Sequence, residues 1–249
     1  MSKVGAPEKL IVNGKRLDGR DLEQFRPMET NVRVIKRAVG SAFFAFENTK
    51  AIAAVYGPRE VHPRHKQNPE KAIIKCKYFM APFSTKERIR PGHSRRGTEI
   101  SMVIAQALSQ VIFFEEFPKT SIDVFIEIIQ ADASTRCAGL NAASMALADA
   151  GIPMRDLVSS CAVGKIDGEL VLDVGGLEDN YGDVDFAVAT VAGSDRFVLM
   201  QMDGVLTKEE FFKALDMAEA GCKEIYEKQK EALEKKYSAE NLTEGDINE

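Results

Sequence analysis

Three short stretches of this 249-residue chain carry side chains suited to handling phosphate groups. The first is Gln130-Ala-Asp-Ala-Ser-Thr-Arg136, followed at once by an Ala-rich run that reads as a helix. A helix start presents free backbone N–H groups and the positive end of the macrodipole. With two hydroxyls (Ser134, Thr135) and one guanidinium (Arg136) added, it becomes a candidate seat for a phosphate ion. The plainer alternative is that Ser134 caps the helix and Arg136 faces water. The second stretch is Ser94-Arg95-Arg96, which opens another helix. Cations at that end of a helix are unfavourable unless an anion joins them; the alternative is that they pair with a carboxylate such as Glu99. The third is the run from Gly175 to Asp185, with Glu178, Asp179, Asp183 and Asp185 within eight residues. Oxygen ligands so grouped suit Mg²⁺, which often takes one or two carboxylates plus substrate phosphates. A merely solvated acidic turn is the alternative there.

The elements that must position these residues follow from periodicity. Apolar residues at 122, 124, 126 and 128 predict a strand over 121–129 leading into the first stretch. The Ala-rich helix after it is closed by Gly151 and Pro153. The helix opened at Ser94 carries a stripe at 100, 103, 104, 107, 108, 111 and 112 and is predicted to run to about Glu116. The apolar strand 186–191 anchors Asp185, and Asp179 lies six residues earlier, across a turn containing Gly182. Further strands are predicted near 30–37, 41–46, 50–56 and 71–81, at 158–166 and 169–174 around the turn Asp167-Gly168, and at 196–202 after Gly193-Ser-Asp. A final helix covers about 207–236. The order β-β-β-β-α-β-α-β-β-β-β-α gives an α+β fold with mixed sheets. No phosphate-loop or dinucleotide glycine motif is present, which disfavours an NTPase or a dinucleotide enzyme.

A net charge of −5 argues against wholesale nucleic-acid binding, but its distribution does not. Residues 50–99 hold twelve Lys/Arg against four Glu, a net of +8, leaving −13 on the rest, and all three histidines fall there. A basic, proline-punctuated patch on an acidic body fits a local polyanion contact. The four cysteines, Cys76, Cys137, Cys161 and Cys222, form no C-x-x-C pair, so a zinc site is disfavoured and a reducing, cytoplasmic setting is expected. No stretch has the apolar length to span a bilayer, and the first residues lack a signal-peptide core.

Taken together, His62-Pro-Arg-His65, Ala81-Pro-Phe-Ser84, Ser94-Arg-Arg96, Ile129–Arg136, Ala146–Leu157 and Glu178–Asp185 resemble the RNase PH family, and within it the catalytic RNase-PH-type subunits of the archaeal exosome. The resemblance spans about Leu17 to Tyr237. It implies an RNase PH-like fold related to a domain of ribosomal protein S5. Residues 1–16 would be an N-terminal extension, 17–156 and 157–237 two halves of one domain, and 238–249 a disordered polar tail. It implies 3′-to-5′ phosphorolysis of single-stranded RNA to nucleoside diphosphates, reversible to add tails. Inorganic phosphate is the implied co-substrate and Mg²⁺ or Mn²⁺ the implied metal. Ser134, Thr135 and Arg136 match the phosphate-binding motif, and Arg95 and Arg96 the arginines that hold the RNA 3′ end. Asp179 and Asp185 match the essential acids, as general acid or metal ligands. Arg64 matches an arginine that grips RNA at the mouth of a ring. The implied partners are a paralogous RNase PH-like subunit, in a hexameric ring of three heterodimers, and RNA-binding cap subunits. The family often has Gly where Ser134 stands. A non-catalytic RNA-binding ring subunit is the competing reading, against which Arg136, Asp179 and Asp185 all speak. A free-standing, bacterial-type tRNA-trimming enzyme shares the chemistry but not the partner.

Overall fold

A single Ala-rich helix, enclosed by two sheets, organises the molecule. The computed structural model describes residues 9–194 and 196–238. In chain order the elements are strands β1 (Ile11–Val12), β2 (Lys15–Arg16), β3 (Met28–Val32), β4 (Gly40–Phe46), β5 (Thr49–Glu60) and β6 (Ile73–Met80), then helix α1 (Arg95–Ser109). There follow β7 (Thr120–Gln130), α2 (Thr135–Asp149), β8 (Val158–Ile166), β9 (Glu169–Leu172), α3 (Gly176–Tyr181), β10 (Val184–Val191), β11 (Phe197–Gly204) and α4 (Lys208–Tyr237). One sheet has the order β3-β4-β5-β7-β6, antiparallel except for the β6–β7 pair, which α1 joins as a crossover. The other is an antiparallel β11-β10-β8-β9 sheet. The family-level expectation of an α+β fold with mixed sheets is met.

Thirteen of the fifteen residues of α2 are buried, because it packs on β4 and β5 on one side and β8 on the other. Small residues permit that approach. A β-carbon at Gly40 would lie 2.2 Å from the Ala150 nitrogen and 2.4 Å from the Ala146 carbonyl. Ala42, Ala51 and Ala53 on β4 and β5 are fully buried. A helix hidden on all sides carries no polar stripe; its alanines favour the helix by intrinsic propensity. Its far end is tied down as well, where Asp149 accepts from the Ser41 backbone N–H at 2.7 Å and from the Tyr237 hydroxyl of α4.

The structure differs from the sequence reading in several places. The run 33–37 is not strand, since Arg33 turns the chain with a φ of +62°. Helix α1 stops at Ser109, and Phe114–Glu116 is a separate 3₁₀ turn beside the isolated bridge Ile112–Met154. Inside the acidic run, α3 forms where a loop was expected, because the Glu178 carboxylate accepts the Gly175 N–H at 2.7 Å and closes the first turn. Residues 1–8 of the expected extension, Asp195 of the expected turn and 239–249 of the expected tail lie outside the described residues.

Residues 9–27 hold a buried ionic network that the sequence did not disclose. Arg26 makes a two-pronged contact with Asp173, Nε to Oδ2 at 2.8 Å and Nη2 to Oδ1 at 2.7 Å, and also donates to the Asp132 carbonyl at 2.7 Å. Arg16 pairs in the same manner with Glu178 of α3 and donates to the Asp173 carbonyl at 2.7 Å. Arg20 reaches Asp173 at 3.2 Å. Arg16, Arg26 and Asp173 are at most 3% exposed. Removing one member of such a pair strands the other charge in a dry interior, which costs about 3–5 kcal/mol. Asp173→Ala should therefore lower unfolding stability by about that amount in a urea titration. Breaking the exposed Lys228–Glu231 pair of α4 (3.2 Å) by Lys228→Ala should change it by less than about 1 kcal/mol. Comparable losses in the two variants would contradict the assignment.

Candidate active site

The network holds two loops together. Arg26 bridges the Asp132 carbonyl and Asp173, the Thr49 hydroxyl donates to the Ala133 carbonyl at 2.8 Å, and the Asp132 N–H donates to Thr49 Oγ1 at 3.1 Å. A β-carbon at Gly176 would sit 2.1 Å from Asp132 Oδ1, so a larger residue there would have to displace the Asp132 side chain. Ala133 and Ser134 both lie in the left-handed region, with φ of +59° and +52°. Ser134 occupies the N-cap position of α2 but does not cap it. Its hydroxyl instead donates to the Val174 carbonyl at 3.1 Å. The left-handed backbone explains why glycine suits this place, and the Val174 contact explains how serine is tolerated there.

These loops open onto a cleft of about 500 Å³. Ser134, Thr135, Arg136 and Cys137 at the start of α2 form one wall, with Arg96 of α1 beside them. Asp179 and residues 182–185 form the facing wall, and Gln201 to Gly204 of β11 close it. The floor follows from register. Asp185 on β10 stands directly opposite Asp203 on β11, and Ala187 opposite Gln201, so alternation turns all four toward the cleft. Three polar atoms of cleft-lining residues are buried without a hydrogen-bond partner: Thr135 Oγ1, Arg136 Nε and Gln201 Oε1. Native proteins leave few such atoms unmet. Here two unmet donors belong to the first two residues of α2.

Six of the eight residues singled out from sequence are thus brought near one another: Arg96, Ser134, Thr135, Arg136, Asp179 and Asp185. Arg95 is exposed at the same helix start but does not line the cleft. Arg64 lies in the exposed 3₁₀ turn Arg64–Lys66, away from the cleft, with Glu60 Oε1 3.5 Å from its Nε. Among the described residues, Glu99 makes no ion pair with Arg95 or Arg96. It accepts from Gln201 Nε2 at 2.7 Å and lies 4.0 Å from Arg136 Nη2, linking α1, α2 and β11. Sequence reasoning passed over Gln201 and Asp203. The period-two pattern of β11 was a usable signal, but only its pairing with β10 places those residues beside Asp185.

The electrostatics divide the cleft. Burial raises the Asp185 carboxyl pKa, repulsion from Asp179 adds to the rise, Arg136 and Arg96 oppose it, and Asp203 contributes further. Burial pushes the Cys137 thiol up to about 12, so it is not a nucleophile at neutral pH. Among the described residues no group of three or more His, Cys, Asp or Glu is spaced to hold a metal by itself. No described helix is long and apolar enough to cross a membrane.

A cleft that sets arginines and a helix N-terminus against paired carboxylates suits reactions at phosphate, and comparison with known proteins identifies the lineage. Residues 24–153 match domain 1 of the 3′ exoribonuclease family, RNase PH, and residues 156–221 match its domain 2. The chain belongs to the RNase PH family. It is 54% identical over 237 residues to the exosome complex component Rrp41 of Thermococcus kodakarensis, covering 94% of this chain and 95% of that protein. It is 56% identical over 225 residues to Rrp41 of Pyrococcus furiosus, covering 90% of each. In fold it is similar to rice Rrp46, with a TM-score of 0.77 and 26% identity over 86% of this chain and 98% of that one. A chain of the Archaeoglobus fulgidus exosome, solved with RNA bound to the active site, superposes with a TM-score of 0.75 at 24% identity, over 87% of this chain and 93% of that one. This RNase PH-family chain is a phosphorolytic 3′-to-5′ exoribonuclease.

The raised Asp185 carboxyl has a consequence for stability. A carboxyl whose pKa rises on folding opposes folding when ionised. That penalty is absent below the ordinary carboxylate pKa of about 4 and fully present above the raised value. Asp185→Asn should therefore melt at a higher temperature than the parent near pH 7.5 in phosphate-free buffer, with the gap closing toward about pH 4. Thermal melts at the two pH values decide it; an equal or lower melting temperature at pH 7.5 would count against the electrostatic account.

Proposed function

We propose that this chain is the catalytic subunit of an archaeal exosome, in which inorganic phosphate seated by Ser134, Thr135 and Arg136 attacks the last phosphodiester of a single-stranded RNA. The observation that carries this is the pair of unmet donors, Thr135 Oγ1 and Arg136 Nε, at the start of α2 and across the cleft from Asp179 and Asp185. In the reaction a phosphate oxygen bonds to the terminal phosphorus. The P–O3′ bond breaks, a nucleoside diphosphate leaves, and the O3′ of the shortened RNA takes up a proton. Two phosphates meeting in one cleft repel, and fixed cations and helix-end N–H groups offset that repulsion without reorganising. Arg136 and the α2 terminus serve the attacking phosphate. Arg96, with Arg95 beside it, holds the RNA 3′ end, and Arg64 grips the strand farther out. Asp185, whose carboxyl pKa is raised by burial and by Asp179, serves as the acid that protonates O3′.

The carboxylate oxygens of Asp179 and Asp185 also fit Mg²⁺ or Mn²⁺, which would complete its shell with substrate oxygens. Bound there, the ion would supply positive charge beside the phosphates. The relatives carry the name of an exosome component, which supports assembly with other exosome subunits; we extend this to a ring of three heterodimers with a paralogous RNase PH-like subunit, RNA-binding cap subunits and a cytoplasmic setting. A non-catalytic ring subunit would have no need of Arg136, Asp179 and Asp185 in one cleft.

RNA breakdown should require phosphate and release nucleoside diphosphates; monophosphates released at full rate without phosphate would overturn the reading. In single-turnover assays at saturating RNA, Asp185→Asn should slow the chemical step by at least ~100-fold. Equilibrium RNA affinity should hold or rise, since a negative charge beside the phosphates is removed. Arg96→Ala should do the opposite and weaken RNA binding by at least about tenfold. The pH profile separates the two roles of Asp185. As the acid, its rate falls as pH rises through the raised pKa; as a metal ligand alone, its rate rises.

A further inference from the structure

Tyr78, on β6, is 2% exposed, and its hydroxyl is buried without a hydrogen-bond partner. An unmet buried hydroxyl is destabilising, where phenylalanine would fill the same space at no such cost. The ring packs on α2: its Cε2 lies 3.5 Å from where a β-carbon of Gly139 would sit. Gly139 is one helical turn beyond Thr135 and on the same face. Thr135 Oγ1 is itself buried and unpartnered, and Thr135 lines the cleft. Burial raises the Tyr78 hydroxyl pKa, while the Thr135 hydroxyl and then the charges of Arg96 and Arg136 lower it. The phenol thus stays protonated, a donor in want of an acceptor, next to a threonine hydroxyl in the same condition.

We propose that Tyr78 is a positioning residue for the attacking phosphate: its O–H donates to Thr135 Oγ1 and so turns the Thr135 proton toward a phosphate oxygen in the cleft. This rests on the reading of Ser134–Arg136 as the phosphate seat. Before phosphate arrives, the Thr135 hydroxyl has no acceptor in the cleft to aim at. Once phosphate is seated, each hydroxyl gains a partner, and a chain of aligned hydrogen bonds strengthens each member. The ring packs at Gly139, which keeps the phenol near Thr135 before phosphate binds. Tyr78 touches neither reacting atom and acts through Thr135.

The test is steady-state phosphorolysis by the assembled ring at saturating single-stranded RNA, with inorganic phosphate varied. Tyr78→Phe keeps the ring packing and removes the hydroxyl. The phosphate KM should rise about 3–10-fold, as loss of one hydrogen bond implies, with kcat within about twofold. RNA affinity should be unchanged and the melting temperature equal or higher, because an unmet hydroxyl has gone. Thr135→Val should raise the phosphate KM further, and adding Tyr78→Phe to it should change nothing more. A purely structural tyrosine would instead lower the melting temperature and leave the phosphate KM alone. If Tyr78→Phe leaves that KM unchanged while Arg136→Ala raises it, the role of Tyr78 is wrong and the phosphate seat stands. If neither substitution moves it, the seat itself is wrong.

Discussion

The two-pronged contact between Arg26 and Asp173 sets the geometry on which the cleft depends. Burying both charges is expensive, and an apolar pair of similar volume would often serve stability equally well or better. What the ion pair provides is direction. A guanidinium satisfies a carboxylate only in one plane, and Arg26 spends its remaining donors on the Asp132 and Val174 carbonyls. Those carbonyls belong to the two loops that carry the hydroxyl–arginine stretch and the acidic helix. The spacing between cation and carboxylate walls is therefore set outside the cleft, by charges that no substrate meets.

The second constraint is the burial of α2. Because both sheets press on it, the helix cannot slide or tilt without opening the core, and its N-terminus is held in place against whatever anion enters. A helix end at the surface would fray over its first turn, and the partial charge it offers would be shared with water. Here the same alanines that allow close packing make this wall of the cleft rigid. Rigidity matters most for electrostatic stabilisation, where donors must already point at the place charge will develop.

The legible parts of the sequence were those with local causes. The strand into β7, the helix from Thr135 and the hairpin at Asp167-Gly168 announce themselves through period and turn chemistry. Three features did not. The six residues of α3 are too few to show a period. Arg16, Arg20 and Arg26 look like any charged surface turn until Asp173 and Glu178 arrive from about 150 residues away. The left-handed Ser134 is imposed by its loop, not chosen by its side chain. Beyond these three, Asp203 was hidden because it matters only through the register of β10 with β11. Matched motifs supplied the candidate residues, but their convergence on one cleft, with Arg64 outside it, is a product of the fold.

The cleft draws on distant parts of the chain: Arg26 as its brace, Arg96 and Arg136 in the middle, and Asp185 and Asp203 late. Chains fold as they emerge from the ribosome, N-terminal portions first. Until β11 has emerged, the floor beside Asp185 is incomplete, and until Asp173 and Glu178 emerge the early arginines have no partners. A half-made copy therefore lacks a complete cleft. The order of elements along the chain leaves the cleft unfinished until β11, the last strand, is made.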